Sequence, residues 1–153
     1  MILARAIPAL LLAVTACAGP PSPAPAPPAA TTTGSSAAVN IRLTVDGRVV
    51  NATLNDNPSA RDFATLLPLT MDLSDFHGTE RISDLPRRLT TAGAPDSAEP
   101  KAGDVAFYAP WGNLAIHYRD APRASGVVVL GRLADGGADV VAAAGRVTIE
   151  PAP

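Results

Sequence analysis

Apolar and polar residues alternate on both sides of Asp46-Gly47 in "NIRLTVDGRVVNATL", Asn40 to Leu54. That period of two marks half-buried strands, and an Asp-Gly pair supplies the positive φ of a tight turn, so the folded part opens with a β-hairpin. "DNPSARDFATLLP" carries a different period. Asn57 is placed as an N-cap, Pro58 stands at the first helical position, and Ala60, Phe63, Ala64 and Leu67 share one face. The pattern predicts a short amphipathic helix that ends before Pro68. "LTMDL" alternates again from Leu69 to Leu73, "FHGTERISDLPRRL" mixes a glycine turn with short extended pieces, and Thr90 to Ala102 read as loop.

Val105 to Tyr108 and Leu114 to Tyr118 read as two strands joined by "APWGN". "GVVVLGRL" and "RVTIE" supply further strands, with "DGGADVVAAAG" between them as a turn with one helical turn. Many short strands with one or two helices and no βαβ rhythm predict a mainly β domain, an antiparallel barrel or sandwich with helical caps, over residues 40–153.

The N-terminal pattern is of another kind. "MILARAIPALLLAVTAC" has a basic start at Arg5, an apolar run from Ile7 to Val14 and small residues before a cleavage point, the parts of an export signal over residues 1–16. The run is too short to remain as a membrane-spanning helix. "VTAC", Val14 to Cys17, resembles the bacterial lipobox, and the resemblance implies that Cys17 is lipidated and becomes the first residue of the mature protein. Cys17 is the chain's one cysteine, so its lipidation leaves no thiol for disulfides, catalysis or metal binding in the folded part. Residues 17–39 then form a lipidated cysteine and a Pro/Ala/Thr-rich tether with too little apolar surface to fold. Extended at about 3 Å per residue, it would hold the domain up to roughly 60–70 Å from the lipid. The expected location is the extracytoplasmic face of a cell membrane, with the membrane itself as a partner.

Composition narrows the function by exclusion. A net charge of −2 and basic residues scattered singly apart from Arg87-Arg88 give no nucleic-acid footprint. No nucleophile elbow, phosphate loop or dinucleotide fingerprint is present, and no cofactor is expected. Two histidines without a recognised ligand spacing do not predict a metal site, although His77 lies near Asp75 and Glu80.

"LPLTMDLSDFHGTERISDLPRRL", then "GDVAFYAPWGNLAIHYRD" and "VVVLGRL" resemble the small bacterial cyclophilin-like proteins. The resemblance covers nearly all of Asn40 to Glu150 and implies a closed β-barrel related to the peptidyl-prolyl isomerases. True cyclophilins act through an arginine beside a hydrophobic pocket, within a Phe-His-Arg sequence. This chain reads Phe76-His77-Gly78, without that arginine. Arg81 and Arg119 are the residues a displaced mechanism would use. Two functions follow: a non-catalytic module binding a small molecule or peptide, or a divergent prolyl isomerase acting on exported proteins. An arginine within reach of an apolar groove would favour the enzyme, and a barrel end filled by Trp111 would count against both.

The chain's one Trp and both Tyr fall within Gly103 to Asp120. Phe107, Tyr108, Trp111, Asn113, Arg81 and His77 are the candidate ligand-binding residues. No catalytic residue is assigned. Phe107, Leu114 and Ile116 also read as barrel core, and Trp111 reads equally as a cap over the barrel end or the wall of a cleft. Asn113 is expected to bond its own turn backbone. His117, out of step with Leu114 and Ile116, is expected to face outward, exposed or partly covered. If Cys17 carries the anchor, Cys17→Ser should move the protein from the membrane fraction to the soluble one on fractionation. Retention in the membrane would remove the lipoprotein reading.

Overall fold

The computed structural model describes residues 38–153. The expected signal peptide of residues 1–16 and the tether up to residue 37, with Cys17, lie outside the described residues. The expected hairpin is strands β1 (Val39–Val45) and β2 (Arg48–Leu54), joined by Asp46 and Gly47 with φ of 46° and 83°. Two successive positive φ values make the turn whose twist matches that of paired strands. Helix α1 (Pro58–Ala64) starts as its sequence predicts: Asn57 Oδ1 accepts from the Ala60 N–H at 2.8 Å, with Pro58 next in the chain. Ala60 and Phe63 are buried, while Ala64 and Leu67 pack against the core from its margin.

Strands β3 (Leu69–Asp72), β4 (Ser74–Phe76) and β5 (Glu80–Asp84) follow. Thr90 to Ala102 is not wholly loop, because Ser97–Ala98 forms a two-residue strand, β6, paired with β9 (Ala124–Ser125). No apolar alternation announced so short a pairing. The aromatic hairpin is β7 (Asp104–Tyr108) and β8 (Asn113–His117), with Tyr118 just beyond its end. Strand β10 (Val127–Leu133), helix α2 (Gly137–Ala142) and β11 (Arg146–Pro151) complete the chain.

Nine strands make one sheet in the order β3-β11-β1-β2-β10-β7-β8-β5-β4, antiparallel at every pairing. The sheet curls into a nearly closed antiparallel barrel, the mainly β architecture with short helices that was expected. Its two edge strands, β3 and β4, are consecutive in sequence, and the chain crosses the seam at Leu73, whose N–H bonds Gly145 O at 2.9 Å. The interior is filled by alternate residues of each strand: Ile41, Leu43 and Val45 from β1, Val105 and Phe107 from β7, Leu114 and Ile116 from β8. Among the described residues no helix is long and apolar enough to cross a membrane.

Asp62 ties α1 to the segment after β5. Its carboxylate accepts from both Arg87 terminal nitrogens, at 2.6 and 3.0 Å, and from the Thr90 N–H at 2.7 Å. The Arg87 hydrogen bonds, followed by the Thr90 amide, hold its pKa below the ordinary carboxylate value. A depressed folded pKa stabilises above the unfolded value of about 3.9 and loses that stabilisation as pH falls through the folded value. The stability difference between the wild type and Asp62→Asn should therefore be widest above about pH 5 and close on acidification. Urea unfolding at stepped pH measures it, and a pH-independent difference would contradict the tie. Phe107 is 1% exposed. Phe107→Ala should cost about 3–5 kcal/mol in the same assay, and a loss below about 1 kcal/mol would remove it from the core.

Candidate functional site

Side chains alternate across a strand, so β7 and β8 send Val105, Phe107, Leu114 and Ile116 inward and the intervening residues to the outer face. In an open antiparallel sheet that outer face would be wet. Here it is buried: all five residues of β8 and four of β7 are shielded. The cover comes from two arms, the segment before β7 and the segment between β8 and β10. They are joined by Ala121 N–H to Pro100 O at 3.0 Å, Ala102 N–H to Asp120 Oδ1 at 2.9 Å, and the β6–β9 pairing.

Between arms and sheet lies a cavity of about 430 Å³. Ala106 and Ala115, directly opposite each other in the β7–β8 ladder, form its floor, and their single methyl groups create the space. Pro100, Ala121, Pro122 and Ala124 wall it from the arms, with Val127 beside Tyr108. The opposite wall is the β4–β5 hairpin, contributing Phe76, His77, Thr79 and Glu80.

Trp111 stands at one end, 57% exposed, so it does not fill the barrel end. Its ring meets Phe76 and Tyr108 edge to face, each at a centroid distance of 5.3 Å with interplanar angles of 85° and 79°. The turn that carries it is held from below. Arg88 donates to the carbonyls of Ala109 and Pro110, and the Pro110 ring packs on Gly126, where a Cβ would come within 2.6 Å of the proline Cδ. Gly126 also has φ of 78°, so both backbone and space require glycine there.

Two polar side chains that line the cavity each carry a buried atom without a hydrogen bond. Asn113 is 3% exposed and its Oδ1 has no partner, so it does not make the turn bond expected of it. His117 is 2% exposed, not the exposed or partly covered residue its spacing suggested. It does face outward from the core, but the arms cover it. His117 Nδ1 stands 2.9 Å from Glu80 Oε2, its neighbour across the β5–β8 ladder, with the oxygen off the direction of the ring N–H.

Of the candidate residues, His77, Tyr108, Trp111 and Asn113 line this cavity. Phe107 does not, because it points into the core on the other face of β7. Arg81 does not either. It stands opposite Ile116, and so on the inner side of the sheet, where its guanidinium bonds the Ala142 carbonyl at the end of α2. Arg119 lies outside the lining as well, its guanidinium 5.9 Å from the centre of the Tyr118 ring. Among the described residues no arginine lines the cavity. Among the described residues no group of three or more His, Cys, Asp or Glu side chains is placed to hold a metal.

The β4–β5 hairpin is fixed by Asp75. It accepts from Tyr118 Oη at 2.6 Å and from the Gly78 N–H at 3.1 Å. The Tyr118 hydroxyl is the main cause holding its carboxyl below the ordinary range, and the same bond raises the phenol. His77 completes that turn with φ of 53° and lies edge-on to Phe76 at 4.1 Å.

A model of the family described as "Cyclophilin-like family" matches residues 43–150. The chain belongs to the cyclophilin-like family. Among solved structures, the solution structure of a hypothetical protein from Archaeoglobus fulgidus is similar in fold. It has a TM-score of 0.53 and 21% sequence identity, over 75% of this chain and 95% of that one. No curated protein gives a significant match. The match runs from within β1 to within β11 and includes every residue of the cavity lining.

The sequence reading missed Glu80, His117, Ala106 and Ala115 as lining residues. The signal was present in "NLAIH", which carries no formal charge on either face once histidine is neutral. A strand of this length without a charged face fits burial on both sides.

Proposed function

We propose that this cyclophilin-like domain is a non-catalytic binding module for a small molecule or short peptide, carried by a lipid-anchored protein on the extracytoplasmic face of a membrane. The binding reading rests on one observation: an apolar cavity of about 430 Å³ walled by aromatic rings, prolines and alanines, with His77, Thr79 and Glu80 among its lining. Pockets for drug-sized ligands span about 300–1,000 Å³ and combine mostly apolar walls with a few convergent polar groups. The non-catalytic reading is supported by the lining, which among the described residues contains no arginine. A prolyl isomerase lowers a barrier of about 18–20 kcal/mol by favouring the twisted amide, and the cationic donor used for that in cyclophilins has no counterpart here. The anchoring reading is supported by "VTAC" ahead of a Pro-rich run.

Because Trp111 is the chain's one tryptophan and stands at the cavity, its emission reports occupancy directly. Titration with biphenyl should change that emission saturably and shift NMR signals of Ala106 and Ala115. Exchange spectra of X-Pro peptides with the same protein should show no acceleration. Accelerated exchange, lost on adding biphenyl, would overturn the non-catalytic reading.

A further inference from the structure

Glu80 stands in the middle of a row that crosses three strands. It lies opposite Phe76 in the β4–β5 ladder and opposite His117 in the β5–β8 ladder, so the three side chains share one face of the sheet, and all three line the cavity. Directly opposite residues keep their Cβ atoms about 5 Å apart, which puts the carboxylate within a side chain's reach of the Phe76 ring. Among the described residues of the lining, Glu80 is the one with a formal charge.

That charge is not answered by a protein cation. Arg81, next in the chain, lies on the inner side of the sheet with its guanidinium on the Ala142 carbonyl and beside Asp75. Among the described residues no lysine or arginine forms an ion pair with Glu80. His117 Nδ1 is 2.9 Å away, but off the line a hydrogen bond would need. A carboxylate beside apolar walls costs free energy that a positive charge brought to it can offset.

The aromatic end of the cavity supplies what an organic cation prefers. Phe76 and Tyr108 each stand nearly perpendicular to Trp111, with centroids 5.3 Å from its own. The face of an aromatic ring is negative, and rings set at right angles around a corner offer faces from more than one direction. The floor of Ala106 and Ala115 and the walls of Pro100 and Pro122 have no side-chain hydrogen-bonding group. They suit an ammonium whose hydrogens are replaced by alkyl groups.

We infer that the cavity takes a small organic cation, a quaternary alkylammonium on an apolar body, with its charged group between the aromatic corner and Glu80. The inference rests on the binding reading above and names the ligand class for that site.

Benzyltrimethylammonium and neopentylbenzene test it, since they share one shape and differ in having nitrogen or carbon at the branch point. Dissociation constants for the full chain come from calorimetry, with ligand-observed NMR as a second readout and biphenyl as the apolar reference. The cation should bind about tenfold tighter than its neutral isostere, within the range of cation–π contacts. Glu80→Gln keeps the shape of the side chain, and Trp111 is exposed enough for Trp111→Leu to leave the core untouched. Each variant, checked for folding by amide dispersion, should lower the ratio to below about threefold. A cation that binds the wild type no better than neopentylbenzene, or a ratio that neither substitution lowers, overturns the cation site, while saturable binding of biphenyl leaves the binding reading standing. Absence of saturable binding by all three overturns both.

Discussion

Strand β8 is buried on both faces, and the rest of the molecule is arranged around that constraint. Its inner residues, Leu114 and Ile116, close the barrel core, while its outer residues, Asn113, Ala115 and His117, lie beneath the two arms. A strand with two covered faces must have every polar group on it answered. The backbone is satisfied by β7 on one side and β5 on the other, in unbroken registers. The side chains of Asn113 and His117 are not satisfied by the protein alone. That imbalance separates this face from an ordinary packed surface.

The arms that create the burial are themselves held by polar contacts rather than by a second core. Asp104 receives Arg132 at 2.6 Å and the Lys101 N–H at 2.9 Å, fixing the turn into β7, and Asp120 receives the Ala102 N–H. Apolar residues such as Pro122 and Ala124 are thereby presented to the cavity without needing a hydrophobic base of their own. The barrel supplies rigidity and the arms supply enclosure. Neither makes a site by itself.

Most of the architecture was legible because it is written in local chemistry. The Asp46-Gly47 turn, the Asn57 cap with Pro58, and the inward alternation of Phe107, Leu114 and Ile116 all follow from neighbouring residues. The cavity was half legible. Tyr108, Trp111, Asn113 and His77 stood out as residue types near a turn, and the fold brings them together. What failed was any judgement that needed the arms. Whether His117 is wet, and whether Asn113 finds its own turn, depends on segments distant in sequence that carry no periodic pattern. Arg81 failed for another reason: its pairing with Ile116 fixes which side of the sheet it occupies, and pairing partners are not written in a strand's own residues.

The seam at Leu73 bears on how the domain behaves among other proteins. An open nine-stranded sheet would present two edges whose unpaired amides invite strands from neighbouring chains. Here the edge strands have only four and three residues, and the backbone runs straight from one to the other. A foreign strand would find too short a ladder on either side to gain a foothold. By ending its sheet where the chain itself turns the corner, the domain gains resistance to edge-to-edge association that its core composition would not have provided.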